Sequence, residues 1–505
     1  MSNKPLYSTF KNEFIFKAII ISFCVLIIAF LAFKPTDDPD FGWHIKTGEQ
    51  IIERAEVPRT DWFTHSSPDF KWVDHEWTTN VLMFGLYRLG GPFLLSVISC
   101  ALILYIFVFL APKTLEKKFP IEQRFIFGTI GIAAVTFFVG VRPQILALIG
   151  IALVFIIVNR LKQNPGTKLI YFLPVIMIAW ANMHASFVAA FVILAIFLIF
   201  ESAKRNTIEN LGENQFAENR NTLTFPSIKK LFVLTIASAA ATLINPYTYR
   251  IYEEIYRTAT DSYGTREINE WLSPDFSDMF GIAFAVYLSL YLIVLFFKKA
   301  RMDLSNFVLF IIFLLAALIS RRNIPLFVLI TLPYFFEGSS AFYKNFLKPI
   351  LKNKFILITL AIVTTFSIFQ YGNFYETISK SFYQKKVFEG EDYPTKALDY
   401  LRKNPIGGNM LNEYNWGGYL ILEYPEKKVF ADGRCAHWKN DDRHLLKIFL
   451  DTVDYRQNAE SILDEYEISF VLLQKERPLA EALKKNKNWK VAYSDENTVV
   501  IERSK

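Results

Sequence analysis

Long apolar runs separated by short polar stretches fill the first three quarters of this chain. The runs fall at 18–34, 93–111, 122–140, 144–159, 169–183, 185–201, 231–245, 278–297, 304–320, 324–336 and 355–371. Each lies near the length that a helix needs to cross a bilayer, some a little short, so the pattern predicts about eleven membrane spans. Residues 79–90 are apolar too, but they are short and end in Arg88 and Gly90-Gly91-Pro92. They read as an amphipathic or re-entrant helix on the same side as the stretch before them. The polar residues 202–229 read as a flexible loop, and 250–276 as a second loop with an interfacial helix.

From about 385 the pattern becomes that of a soluble α/β domain. Tyr393–Lys403 reads as a helix, and Asn409–Leu411, Gly418–Leu422 and Lys428–Ala431 read as short strands. Helices follow at 442–453 and 457–466, then a buried strand at Ile468–Leu473 and a helix at 477–485. A hairpin spans 489–494 and 498–502 around Asp495-Glu496-Asn497. The expected architecture is a polytopic α-helical membrane protein with a C-terminal extracytoplasmic α/β domain. Residues 1–384 form the membrane part, with outer loops at 35–80 and 246–277, and residues 385–505 form the soluble part.

Charge orients the spans. With the amino terminus inside, the inner loops carry Lys113, Lys117 and Lys118, then Arg160, Lys162 and Lys168, then Lys204, Arg205, Lys229 and Lys230. Next come Lys298, Lys299 and Arg301, then Lys344, Lys348, Lys352 and Lys354. All are basic, as the positive-inside rule expects. Making 79–90 a full span would reverse every loop after it. The same parity places the loop 35–80, Arg142-Pro143-Gln144, Asn182-Met183-His184, Asn245-Pro246-Tyr247, Glu270-Trp271, Arg321-Arg322-Asn323 and the C-terminal domain outside. Lys4, Lys11 and Lys17 ahead of the first run resemble the start of a signal peptide. No small-residue cleavage pattern follows, so the run is expected to stay as a first span.

Composition excludes several classes. Of 505 residues, 52% are hydrophobic and 49 are phenylalanine, which does not suit a soluble protein of this size. The net charge of +7 sits in short loops, a pattern of membrane topology rather than of nucleic-acid binding. The three cysteines (Cys24, Cys100, Cys435) are far apart and spell no disulfide framework or zinc pair. There is no P-loop, dinucleotide fingerprint or Ser/His/Asp signature. A zinc-protease motif at His75-Glu76 fails because Thr79 stands where the second histidine is needed.

The chemistry gathers in residues 35–80. Three of the six histidines (His44, His65, His75) and four of the nine tryptophans (Trp43, Trp62, Trp72, Trp77) lie there, with Asp37, Asp38, Asp40, Asp74 and Glu76. Ionisable groups crowded at a membrane surface need a reason. Asp38 and Asp40 can serve as a general base or hold a divalent cation; alternatively Asp40 caps the helix that starts near Phe41. Glu76 is a second acid or orients the first, with His44 and His75 beside it. Arg142, His184, Arg321 and Arg322 suit a phosphate clamp at headgroup level; singly, each reads better as a lipid anchor. In the C-terminal part, Trp416 and Tyr419 can stack on sugar rings or pack into their own turn, and Asp432-Gly433-Arg434 stands out beside them.

These motifs carry a resemblance. A span followed by Asp38-Pro39-Asp40, Trp43-His44, Thr47-Gly48-Glu49, then Pro58, Asp61 and Phe63, then Trp72 and His75-Glu76-Trp77, resembles bacterial polytopic proteins of the GT-C glycosyltransferase superfamily. Arg142-Pro143-Gln144, Asn245-Pro246-Tyr247, Arg322-Asn323, Trp416-Gly417-Gly418-Tyr419 and Asp432-Gly433-Arg434 extend it over nearly the whole chain. The resemblance implies transfer of a sugar, with inversion, from a polyprenyl-phosphate carrier to a glycan, lipid or protein acceptor. The reaction would lie on the outer face of a bacterial cytoplasmic membrane. Asp38 or Asp40 would be the base, with Mg or Mn as a possible cation on both, and Glu76 the second acid. Arg142, His184 and Arg322 would bind the carrier phosphate. Two other readings stay open: a lipid or sugar transporter, and a non-catalytic anchor for an envelope assembly.

Overall fold

The computed structural model describes residues 4–36, 38–211, 222–298, 303–371, 393–440, 442–456 and 458–504. A helix stands at each of the eleven apolar runs: α1 (Lys4–Ala32), α3 (Trp77–Leu104), α4 (Ile121–Val135), α5 (Gln144–Gln163), α6 (Leu173–Met183), α7 (Val188–Leu211), α8 (Phe225–Ala241), α11 (Met279–Lys298), α12 (Leu304–Ile319), α13 (Ile324–Phe342) and α15 (Lys354–Tyr371). Between them lie α2 (Phe41–Arg54), α9 (Arg250–Thr260), α10 (Gly264–Glu267) and α14 (Lys348–Leu351). Among the described residues, six helices are long and apolar enough to cross a membrane, and Leu169–Met183 and Leu304–Ile319 are shorter apolar helices. The chain is a multi-pass membrane protein.

The chain divides into two compact units, each assembled from three stretches. One contains 1–34, 96–245 and 270–379; the other contains 35–95, 246–269 and 380–505. The first is a bundle. Its helices pack through large buried aromatics such as Phe284, Phe327, Phe335, Tyr287 and Tyr291. Polar ties reinforce it where apolar contact gives little drive against lipid. Lys162 Nζ lies 2.8 Å from Glu201 Oε1 and 2.5 Å from Asp303 Oδ2, and Lys204 pairs with the same two carboxylates. These pairs join α5, α7 and the start of α12. They also correct one expectation: 202–211 is not loop but the continuation of α7, in which Lys204 pairs with Glu201 and Asp303. Residues 212–221 lie outside the described residues, and α8 begins after Thr224, whose hydroxyl accepts the Ser227 N–H.

The second unit carries a four-stranded sheet in the order β1-β4-β6-β5, built from Asn409–Asn412, Ile468–Gln474, Thr498–Arg503 and Trp489–Ser494. The pair β1/β4 is parallel, while β4/β6 and β6/β5 are antiparallel. β2 (Lys439–Asn440) and β3 (Arg443–His444) form a separate small ladder. Three expectations change. Gly417–Glu423 is a helix, not a strand, because glycines let its backbone meet α2: a Cβ on Gly42 would lie 2.0 Å from the Gly418 carbonyl oxygen. Such a short apolar run has no period that separates helix from strand. Val429 makes a single parallel bridge to Thr64 in place of a sheet strand. The stretch 442–453 starts in β3 and turns helical only at Leu445–Val453.

The residues 79–90 are helical and continue into the next apolar run with a break at Gly90 and Gly91. Gly91 has φ 63°, which a side chain would resist, and Pro92 fixes the start of the second segment.

Candidate functional site

In the second unit, Asp38 and Asp40 sit in the turn before α2. The Asp38 carboxylate accepts the Asp40 N–H at 2.8 Å, and the Asp40 carboxylate accepts the Trp43 indole N–H at 3.0 Å. Asp40 occupies the cap position, yet its side chain makes no capping bond. Its orientation is set from the carboxy-terminal segment as well. A Cβ on Gly433 would lie 1.8 Å from Asp40 Oδ1, and one on Gly418 would lie 2.1 Å from the Pro39 oxygen. Glycine at both positions lets the backbone close on this turn. Asp37 lies outside the described residues.

One turn into α2, His44 enters a buried polar chain. Its Nδ1 lies 2.6 Å from Asn80 Oδ1, and the Asn80 amide donates to both oxygens of Asp74 at 3.1 and 3.0 Å. With the Asn80 oxygen as acceptor, His44 carries its proton on Nδ1. Glu76 is flanked by both histidines, at 3.9 Å from His44 Nδ1 and 3.8 Å from His75 Nε2. Burial pushes the Asp74 carboxyl up to about 7, against the opposing hydrogen bonds from Glu76 N–H and Asn80 and the charge of Arg434. Asp74 and Asn80 were not among the predicted site residues. The acid-histidine crowding of 74–76 was the available signal.

Two more buried clusters tie this unit together. The Arg434 guanidinium bonds Asp61 at 2.8 Å and Asp432 at 2.7 Å. Trp72, Phe63 and Trp438 surround it at 4.4, 4.9 and 5.2 Å. The Asp432-Gly433-Arg434 motif is thus a clamp on the first loop. Asp261 Oδ2 receives His437 Nδ1 at 2.9 Å, His444 Nε2 at 2.8 Å and the Gly264 N–H at 3.1 Å. Burial would raise its pKa, but the two imidazoles and the amide hold it down at about 2. Trp416 is 3% exposed and belongs to the core of this unit.

In the first unit, the predicted basic residues meet an acid. Arg142 pairs with Glu270. The Glu270 carboxyl is pushed up by burial and, more strongly, pulled down by Arg142 and Arg322. Arg322 also covers the Trp271 ring at 5.0 Å. Backbone stitches hold the two loops together: Arg321 N–H donates to the Leu272 oxygen at 2.9 Å, and the Ser320 hydroxyl to the Glu270 oxygen at 3.1 Å. Arg321 lies 3.7 Å from Asp278. Arg142 and Arg322 therefore converge on one carboxylate, whereas His184 caps a short turn through Ser186, with Nδ1 2.7 Å from the hydroxyl.

Asp38 and Asp40 offer hard oxygen donors, the chemistry that Mg and Mn prefer. Among the described residues, no group of three or more His, Cys, Asp or Glu gathers to hold a metal. Each of the two aspartates also uses one oxygen within the turn. The pair suits an ion shared with a phosphate, since Mg is commonly held by one or two carboxylates plus phosphate oxygens and water.

No family model and no curated protein matches this chain. Solved structures do. The archaeal oligosaccharyltransferase AglB from Archaeoglobus fulgidus, in complex with an inhibitory peptide and a dolichol-phosphate, is similar with a TM-score of 0.56. Identity is 12%, over 97% of this chain and 74% of that one. An A. fulgidus oligosaccharyltransferase in complex with Zn and sulfate is similar with a TM-score of 0.51. Here identity is 12% over 96% of this chain and 73% of that one. The GT-C resemblance read from the sequence is thus met at the level of fold.

Proposed function

We propose that this protein is a membrane glycosyltransferase that moves a sugar from a polyprenyl-phosphate carrier to an acceptor hydroxyl or amide. The observation that carries the reading is the fold likeness to AglB along 97% of the chain. In support, the carboxylates of Asp38 and Asp40 lie together in the turn that leads into α2. In this proposal Asp38 or Asp40 takes the acceptor proton while the acceptor atom attacks the anomeric carbon. The bond from that carbon to the phosphate oxygen breaks, and its electron pair stays on the phosphate. A single base and no carboxylate nucleophile give inversion. Arg142 and Arg322 bind the carrier phosphate and stabilise the charge it gains, with Glu270 between them as the acid that a phosphate replaces. Glu76, poised between His44 and His75, acts as a second acid. A divalent cation on Asp38 and Asp40 would add charge stabilisation at the phosphate. The peptide in the AglB complex favours a protein acceptor over a glycan or lipid. We place the eleven helices as spans, the amino terminus inside, and the loops 35–80 and 246–277 with the carboxy-terminal segment outside a bacterial cytoplasmic membrane.

A thermal-shift titration tests this. Detergent-purified wild type, Asp38→Asn and Arg322→Ala are titrated with polyprenyl phosphate, with and without Mg or Mn. Ligand at 100 times its Kd stabilises the folded state by about 2.7 kcal/mol. The expected result is a carrier-dependent rise in Tm for wild type and Asp38→Asn, lost in Arg322→Ala. No shift in any of the three at any carrier concentration would remove the reading.

A further inference from the structure

The buried chain from Asp74 to His44 has a single amide at its centre. Asn80 offers one amino group and one oxygen, and the two neighbours divide them. The amino group faces Asp74, at 3.1 and 3.0 Å, and the oxygen faces His44 Nδ1 at 2.6 Å. Charge dictates that order. An ionised carboxylate only accepts, so it takes the N–H side, and the imidazole has to donate to the oxygen. Asp74, Asn80, His44 and Glu76 are all buried, where a donor set against a donor is costly. The order therefore holds only while Asp74 is ionised.

A proton on Asp74 reverses it. The carboxyl then carries an O–H that needs an acceptor, and the Asn80 oxygen meets it once the amide turns over about its last bond, a torsion with two broad wells. The turn presents the amino group to His44, whose Nδ1 can then only accept. One proton is taken up, on Asp74. On the imidazole a proton leaves Nδ1 and another is gained at Nε2, so His44 stays neutral. Burial, which pushes the Asp74 carboxyl up to about 7, brings the event to neutral pH. The groups that face Asp74 come from several segments. The Glu76 N–H, the Asn80 amide and the Arg434 charge favour the ionised form. Tyr247, from the second loop, stays neutral throughout, because burial and the Asp74 charge push its phenol up. Glu76 reads the change. Its carboxylate lies 3.9 Å from His44 Nδ1 and 3.8 Å from His75 Nε2. An N–H at His44 Nδ1 favours the Glu76 carboxylate, and a lone pair there favours the protonated acid.

We propose that Asp74 is a proton-sensing positioning residue. When it takes up a proton the Asn80 amide turns over, the His44 proton moves from Nδ1 to Nε2, and Glu76 faces a lone pair in place of an N–H. For function this rests on the reading of Glu76 as the second acid of glycosyl transfer: the switch keeps Glu76 protonated while Asp74 holds its own proton.

NMR of the full-length protein, with nitrogen-15 in the histidine rings, tests it. Spectra are taken about 1.5 pH units above and below 7, a span over which such a carboxyl passes from about 3% to about 97% protonated. His44→Gln identifies the His44 signals among the six histidines. In wild type the Nδ1 resonance should move from the N–H range to the unprotonated range as pH falls through 7, and Nε2 should move the opposite way. In Asp74→Asn neither should move over the same window. A proton on Nδ1 at both pH values in wild type would overturn the proposal, whether His44 stays neutral or becomes an imidazolium. An exchange that persists in Asp74→Asn would overturn it too. The wild-type titration decides the point alone if the variant does not fold. The readout needs no substrate, so the exchange seen in a protein that transfers no sugar would keep the switch and remove only the glycosyltransferase reading.

Discussion

The two units each bury a charge network, and they do so with opposite means. In the helical unit, two lysines and two carboxylates alternate around Glu201 and Asp303, so each acid has two cations and the sum is neutral. In the second unit a single arginine holds two aspartates under an aromatic cover. The lysine network is redundant and links helices that are already long and regular. Among the described residues the arginine clamp has no second cation, and it joins Asp61 to Asp432, residues that nothing in the local chain brings together. Redundancy marks a tie between preformed elements. A lone, fully desolvated centre marks the place where separated segments become one unit.

The largest expected effect breaks the second arrangement. Arg434→Ala should cost about 3–5 kcal/mol, because two buried carboxylates lose the cation they share. Thermal unfolding and limited proteolysis of the 35–95 segment would show it, and Arg434→Lys should recover part of the loss but not the forked geometry. Next comes the pH response of the same unit. The Asp74 carboxyl titrates at about 7 when folded, against an ordinary value near 3.8. Between those values the folded state binds the extra proton. This contribution is therefore full below about pH 4 and is lost as pH rises through 7. The slope reaches at most about 1.4 kcal/mol per pH unit. Asp74→Asn should flatten the stability profile in that window, which unfolding curves at several pH values would reveal.

Gly433→Ala should cost about 1–3 kcal/mol, since the new methyl meets the Asp40 carboxylate. Its signature is a lower Tm at constant expression. In the helical unit, Lys162→Met should cost only about 1–2 kcal/mol in detergent unfolding, because Lys204 still serves both acids. A loss equal to that of Arg434→Ala would erase the contrast drawn above. Smallest of all, Arg456→Ala breaks exposed pairs with Asp451 and Asp454 and should leave Tm unchanged.

Sequence reading found the helices well because lipid imposes a long, uniform apolar pattern on each one. It was weaker where short segments take their state from neighbours. Gly418–Leu422 looks like a strand until Gly42 is placed against it. Among site residues, Arg142 and Arg322 were named, but Glu270, the acid they share, was noticed only as part of a motif. His44 and Glu76 were named without Asp74 and Asn80, the groups that orient them. Asp432-Gly433-Arg434 stood out in the sequence, yet its role as a clamp needs Asp61, some 370 residues earlier.

What the sequence determined by itself was a polytopic helical protein with an acid- and histidine-rich first loop, a later α/β region, and the family that those motifs resemble. Hydropathy, charge placement and local residue type suffice for that, because each is a property of a short window. Only the tertiary structure decided that residues 35–95, 246–269 and 380–505 build one compact unit. It also decided that Asp40 meets Gly433, and that one carboxylate, Asp261, serves two histidines nearly two hundred residues away. Such pairings are fixed by desolvation and by close backbone approach between distant segments, and no window of sequence contains both partners.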